Sequence, residues 1–207
     1  VLEGRDVMGL AQTGTGKTAA FALPILHRLM AGPQGKVRAL ILAPTRELTE
    51  QTHKAIGQMG RSTRLRSAAI YGGVGMQPQL DTLRRGVDIV AACPGRLLDH
   101  IRRRTIDLSR VEVLVLDEAD QMFDMGFLPD IRKIVKLLPR TRQNLLFSAT
   151  MPPDIKSLAD EILRDPVRVQ IGHTAPAASV AHTFYPVATS SKDALLRKIL
   201  DTTSTSA

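Results

Sequence analysis

The chain has 207 residues, 43% of them hydrophobic and 23% charged, which suffices for one large α/β domain or for one domain and part of another. Its formal net charge of +8 favours a polyanionic partner such as nucleic acid, while 3% aromatic content and the lack of any Trp argue against an aromatic stacking platform. The single cysteine, Cys93, excludes an internal disulfide and a Cys/His metal cluster.

That cysteine usage suits a reducing compartment, no apolar run approaches membrane-spanning length, and no signal-peptide pattern opens the chain, so a cytoplasmic protein is expected. The first residue is Val, and the chain is expected to begin inside a longer protein. A first strand is expected over 7–10. It leads into Ala11-Gln12-Thr13-Gly14-Thr15-Gly16-Lys17-Thr18 and then a helix over 19–30, in which Pro24 should make a kink. The eight residues fit the phosphate-binding pattern G-x-x-x-x-G-K-[ST], with Ala11 at the first glycine. Gly14 and Gly16 allow the backbone to curl N–H groups inward, and the helix start adds its positive end. Lys17 would reach the β- and γ-phosphates of a nucleotide, and the Thr18 hydroxyl would ligate Mg²⁺.

Further strands are expected over 37–43, 67–71, 87–92, 111–116, 144–147 and 167–171, several of them continuously apolar as in a parallel sheet buried on both faces. Helices are expected after Leu48, over 79–85, after Cys93-Pro94-Gly95-Arg96 through Arg104, over 128–138 and over 153–163, with Gly126 breaking the helical region before Leu128. Alternating strands and helices predict an α/β fold, a mostly parallel sheet with helices on both faces. In such sheets ligands sit beyond the carboxyl ends of the strands. The polar motifs all fall there: the phosphate loop, 44–48, Gly72-Gly73, 93–96, 117–120 and 148–150. After Gly172 the texture changes to an Ala-, Pro-, Ser- and Thr-rich linker over 173–190 with a short extended piece over 183–187. A helix with Leu195, Leu196, Ile199 and Leu200 follows, opened by the capping-box spacing of Ser190 and Asp193, and 191–207 reads as the start of a truncated second domain.

Asp117 and Glu118 end an apolar strand. A phosphate-loop enzyme needs one carboxylate there to hold Mg²⁺ and one group to act on the attacking water, roles that Asp117 and Glu118 fit in turn. Other signals are weaker. Ser148-Ala149-Thr150 alone would cap a helix, Cys93-Pro94-Gly95-Arg96 alone is a turn and a helix start, and Arg46, Arg96 and Arg102-Arg103-Arg104 could be solvated surface. Arg, small hydroxyls and helix N-termini are nevertheless the groups that grip a nucleic-acid backbone without reading bases.

Taken together and in order, AQTGTGKT at 11–18, PTREL at 44–48, GG at 72–73, PGR at 94–96, DEAD at 117–120 and SAT at 148–150 resemble the first core domain of the DEAD-box RNA helicases. Met125-Gly126-Phe127 also looks like the family, and the wording over 145–169 has a bacterial character. The resemblance implies a RecA-like fold and an ATP- and Mg²⁺-dependent, RNA-stimulated enzyme whose two core domains close over ATP and one RNA strand. Carried over by motif, residues 11–18 bind the phosphates. Lys17, Asp117 and Glu118 are catalytic, and Thr18 and Asp117 serve the metal. Asp120, Ser148 and Thr150 couple nucleotide state to domain closure. Pro44, Thr45, Arg46, Gly73, Gly95 and Arg96 face the RNA backbone, and the helix from Leu97 is the wedge that kinks the strand.

Two departures follow from the same resemblance. Cys93 stands where the family has Thr, and neither the upstream glutamine motif nor the second core domain is within the chain. The fragment alone is therefore expected to bind nucleotide weakly, to hydrolyse it near background and not to unwind. A nucleotide-gated RNA clamp, another phosphate-loop ATPase acting on DNA and, more distantly, a small-molecule kinase are the competing readings.

Overall fold

The computed structural model describes residues 1–12, 14–171 and 183–202. The chain divides into two compact units, Val1–Gly172 and His173–Ala207.

The first unit is built on seven parallel strands: β1 (Val7–Leu10), β2 (Ala39–Leu42), β3 (Ser67–Ile70), β4 (Ile89–Ala92), β5 (Val113–Leu116), β6 (Gln143–Ser148) and β7 (Val167–Gln170), in the order β3-β4-β2-β5-β6-β1-β7. The strands β2, β4 and β5 are buried along their whole length, which is why their sequences read as unbroken apolar runs rather than as alternation. Successive side chains point to opposite faces. Ala39, Ile41, Ile89, Ala91, Val113 and Val115 pack with Phe21, Ile25 and Leu29 of helix α1 (Lys17–Leu29) and with Ile56 of α2 (Arg46–Met59). Leu40, Leu42, Val90, Ala92, Leu114 and Leu116 pack on the other face against α4 (Pro94–Arg102), α5 (Ala119–Asp124), α6 (Leu128–Leu137) and α7 (Pro153–Ile162), with α3 (Met76–Arg84) between β3 and β4 in the chain.

Several element ends differ from the sequence expectation by a few residues, β2, β4 and β5 each starting two residues later, and two helix starts differ for a physical reason. Helix α1 starts at Lys17 rather than Ala19, because Gly16 takes the left-handed backbone (φ 86°) that ends the loop. Lys17 and Thr18 thereby enter its first turn. Helix α3 starts at Met76 rather than Gln79, since Pro78 falls in a first turn, where no N–H is required of it. Pro24, where a kink is expected, lies inside α1, which runs through it as one helix.

Buried polar side chains fasten the amino ends of the strands. Asp88, fully buried, accepts from Gly35 N–H (2.7 Å) and Arg66 N–H (2.8 Å). Asp6 accepts from the backbone N–H groups of Asn144 (2.7 Å) and Arg164 (2.8 Å). Arg38 pairs with Glu112 (2.6 Å). Each of these bonds gives a partner to a buried charged side chain, Asp88, Asp6 or Arg38, that burial alone would leave uncompensated.

In the second unit a 3₁₀ turn (Thr189–Ser191) precedes α8 (Lys192–Thr202), so the turn takes the position expected for the Ser190–Asp193 capping pair. Residues 183–188 form no strand. Most of the expected linker and the end of the chain, 203–207, lie outside the described residues.

Candidate active site

The strand register brings the motifs to one edge. Leu42 is level with Ala92 and Leu116, Ile70 with Ala92, and Leu10 with Ser148. Every loop that follows these residues therefore leaves the same end of the sheet.

In the phosphate loop Gly14 (φ 85°) and Gly16 (φ 86°) hold left-handed conformations that a side chain would strain. Thr15 Oγ1 donates to the Gln12 carbonyl at 2.8 Å, and Lys17, a residue 9% exposed, donates from its ammonium to the Ala11 carbonyl at 3.0 Å. Ala11, buried, adds its own N–H to the Ser148 carbonyl at 3.0 Å, which ties the loop's start to β6. Thr13 lies outside the described residues. Beside the loop, a cavity of about 330 Å³ is lined by Gly9, Gly16, Lys17, Phe147 and Val169 among others.

Asp117 follows β5 and is 6% exposed. Burial pushes its carboxyl up to about 6. The Lys17 ammonium pulls against that rise, the Glu118 carboxylate adds to it, and a backbone hydrogen bond from Glu118 opposes it. One of its oxygens, Oδ1, has no hydrogen-bond partner among the described residues. A buried, unpartnered carboxylate oxygen beside a loop lysine is an arrangement in want of a cation or its water shell. Glu118 itself sits in the left-handed region (φ 54°, ψ 55°) at the start of α5, a conformation costing about 1–2 kcal/mol for a residue with a side chain. Among the described residues, no group of three or more His, Cys, Asp or Glu could hold a metal ion by itself.

Asp120, Ser148 and Thr150 are brought together as a network. The Asp120 N–H donates to Ser148 Oγ (3.1 Å), and Thr150 donates both its N–H (2.8 Å) and its hydroxyl (2.9 Å) to Asp120 Oδ2. Burial works to raise the Asp120 carboxyl, but the hydrogen bonds from Thr150, Ser148 and Gln121 outweigh it and hold the group below the usual carboxylate range.

The expected backbone-gripping residues form a second cluster beyond β2, β3 and β4. Pro44 is buried, and Thr45 caps α2 by accepting the Leu48 N–H at 3.2 Å. The Arg46 guanidinium lies 5.0 Å from the centre of the Tyr71 ring. Arg96 donates to the Val74 carbonyl from both Nη1 (3.1 Å) and Nη2 (3.2 Å), bracing the loop that carries Gly73 (φ 77°). A Cβ built at Gly73 or at Gly95 meets nothing within 4 Å. Among the described residues Gly95 is thus not required by packing, and the space over it is open to a ligand.

Sequence reasoning missed Tyr71, Thr49 and the partners of Arg96. Only contact between loops far apart in the chain reveals them. A Thr in the first turn after a Thr N-cap is the one signal that could have singled out Thr49.

A model of the DEAD/DEAH box helicase family matches residues 1–158. The chain is 48% identical over 171 residues to the ATP-dependent RNA helicase CshA of Limosilactobacillus reuteri, covering 83% of this chain and 34% of that protein. It is 43% identical over 206 residues to the DEAD-box ATP-dependent RNA helicase RhpA of Helicobacter pylori, covering 98% and 41%. Among solved structures, a hypothetical ATP-dependent RNA helicase from Sulfolobus tokodaii superposes with a TM-score of 0.75 at 40% identity, over 82% of this chain and 49% of the other. The yeast DEAD-box splicing factor Prp28 does so with 0.78 at 35%, over 84% and 42%. The chain thus spans less than half the length of each of these relatives.

Proposed function

The chain belongs to the DEAD/DEAH box helicase family, and on that basis we propose that it is the first core domain of an ATP-dependent RNA helicase, binding ATP and one side of the RNA backbone. The observation that carries this reading is the buried Asp117 carboxylate, with Oδ1 unpartnered among the described residues, coupled to Lys17 of the phosphate loop.

A triphosphate entering the loop replaces the Ala11 carbonyl as the acceptor of the Lys17 ammonium. The backbone N–H groups of the loop and the start of α1 add further donors and a favourable dipole. The residues fit a magnesium ion arriving with the nucleotide: the Thr18 hydroxyl would ligate it, and Asp117 would hold its water shell. Such an ion neutralises charge on the β- and γ-phosphates. Glu118 orients the attacking water and takes its proton. The water oxygen bonds to the γ-phosphorus as the bond to the bridging oxygen breaks, leaving ADP and inorganic phosphate.

Two features support coupling to RNA. The Ala11–Ser148 backbone bond joins the phosphate loop to the Asp120–Ser148–Thr150 network. Thr45, Arg46, Gly73, Gly95 and Arg96 present small groups and cations suited to sugar–phosphate contact, with little preference for base sequence, and the buried Pro44 shapes the turn that carries Thr45 and Arg46. A second RecA-like domain of the parent protein would close over both ligands, and cytoplasmic location is part of the same proposal. Alone, this chain binds nucleotide weakly, hydrolyses it near background and does not unwind RNA.

The test is ATP hydrolysis with and without single-stranded RNA, on this chain and on a longer chain carrying both flanks, with Lys17→Ala as control. A silent fragment, an RNA-stimulated longer chain and a dead control support the proposal. A longer chain that hydrolyses ATP but ignores RNA overturns the RNA assignment. Duplex separation by the longer chain then distinguishes a helicase from a clamp.

A further inference from the structure

Strands β2 and β4 are neighbours, with Leu42 level with Ala92. The helices that follow them part company: α2 packs on one face of the sheet through Ile56, and α4 on the other through Leu97 and Leu98. One side-chain hydrogen bond reaches across the sheet's end to rejoin them. Thr49 in the first turn of α2, fully buried, places Oγ1 3.3 Å from Sγ of Cys93, the residue that opens α4.

The direction of that bond follows from proton count. A threonine hydroxyl has one proton, and Thr49 donates it to the Thr45 carbonyl at 2.8 Å. Its lone pair is then free to accept the Cys93 thiol proton. Burial, which pushes the thiol up, keeps that proton in place, although the Thr49 hydrogen bond works the other way. The Thr45 carbonyl belongs to the N-cap of α2, next to Arg46, and Cys93 is the N-cap of α4, whose first turn carries Gly95 and Arg96. A single hydroxyl therefore fastens both halves of the backbone-gripping cluster, one from each face of the sheet.

We propose that Thr49 is a positioning residue for RNA: its buried hydroxyl sets the spacing between Thr45–Arg46 and Gly95–Arg96. The two groups can then engage successive phosphates without prior rearrangement. This rests on the RNA-backbone reading above. It adds a residue that need not touch the strand.

The test is binding of a fluorescein-labelled single-stranded oligouridylate to this chain at low ionic strength, read by anisotropy, beside binding of a fluorescent ATP analogue. Thr49→Val keeps the shape and removes the hydroxyl. The expected result is RNA binding weakened about fivefold with nucleotide affinity unchanged, the loss of one hydrogen bond's net worth. Thr49→Ser restores binding, and adding Cys93→Ala to Thr49→Val costs nothing more, because both remove the same link. Wild-type RNA affinity in Thr49→Val, or a parallel fall in nucleotide affinity, overturns the proposal. Should Thr49→Val fail to fold, Cys93→Ala reads the same bond from its other end, with the same two outcomes. Arg46→Ala and Arg96→Ala separate the layers. If they bind like wild type, the RNA reading falls and takes this inference with it. If they weaken binding and Thr49→Val does not, only the positioning role falls.

Discussion

The Lys17 ammonium donates to the Ala11 carbonyl at 3.0 Å, closing the phosphate loop on itself. The loop thus holds its cation in place with one of its own backbone acceptors, and a nucleotide phosphate competes for that cation. Lys17→Ala is expected to lower nucleotide affinity by at least roughly tenfold, the scale of a lost charge-assisted hydrogen bond to phosphate. Lys17→Arg should not rescue it, since a planar guanidinium cannot take the place of a compact ammonium in a buried turn. Titration with a fluorescent ATP analogue measures both.

Asp117 sets function against stability. Its folded carboxyl titrates at about 6, raised from 3.8 chiefly by burial. The protonated form therefore favours folding. That contribution is complete below the unfolded value and is lost as pH rises through about 6. A two-unit rise costs on the order of 3 kcal/mol at neutral pH. Asp117→Asn is expected to raise Tm at pH 7.5, to match wild type near pH 4, and to abolish ATP turnover in a chain carrying both core domains. Thermal melts of both proteins across that pH range check the sign. A variant less stable than wild type at pH 7.5 would contradict it.

Thr150 holds Asp120 through its N–H and its hydroxyl, but only the hydroxyl can be removed by substitution. Thr150→Val should leave nucleotide binding intact and reduce RNA stimulation of ATP turnover in the two-domain protein severalfold, because the loop–network connection through Ser148 loses one anchor. The Asp120 carboxyl lies below the usual carboxylate range, so the network's contribution to stability is present above the unfolded value and is lost as pH falls through the depressed folded one. Steady-state rates with and without RNA test the first effect, and acid denaturation of wild type and variant tests the second.

Gly9 and Gly95 are glycines for opposite reasons. A Cβ on Gly9 would sit 2.5 Å from a ring carbon of Phe147, which itself packs at a tilt of 38° against Phe21 with centroids 5.6 Å apart. Gly9→Ala forces that pair to move and is expected to cost about 1–3 kcal/mol. A Cβ on Gly95 meets nothing within 4 Å among the described residues, and the residue lies in the first turn of α4. Gly95→Ala should gain about 0.5–1 kcal/mol of stability from helix propensity while weakening RNA binding. Melting temperature and oligonucleotide anisotropy on the same samples separate the two. A Gly95→Ala protein that binds RNA as wild type does would remove Gly95 from the interface.

What the sequence determined by itself is what local physics writes locally. Continuous apolar runs such as Val113–Leu116 mark strands buried on both faces, Gly14 and Gly16 before Lys17 mark a loop that must curl, and polar residues at each strand's end mark the edge where ligands bind. Tertiary structure alone decided the rest, because it depends on which distant segments become neighbours. The order β3-β4-β2-β5-β6-β1-β7 sets Ala11 against Ser148 and Asp88 against Gly35 and Arg66. The left-handed backbone of Glu118 has no mark in an Asp-Glu pair, nor does Gly9 announce the Phe147 ring that crowds it. Thr49 reads as one more polar helix residue until the sheet brings β2 beside β4 and its hydroxyl meets Cys93. A hydrogen bond between residues 44 positions apart has no local signature, because its geometry exists only once the strands between them have chosen their places.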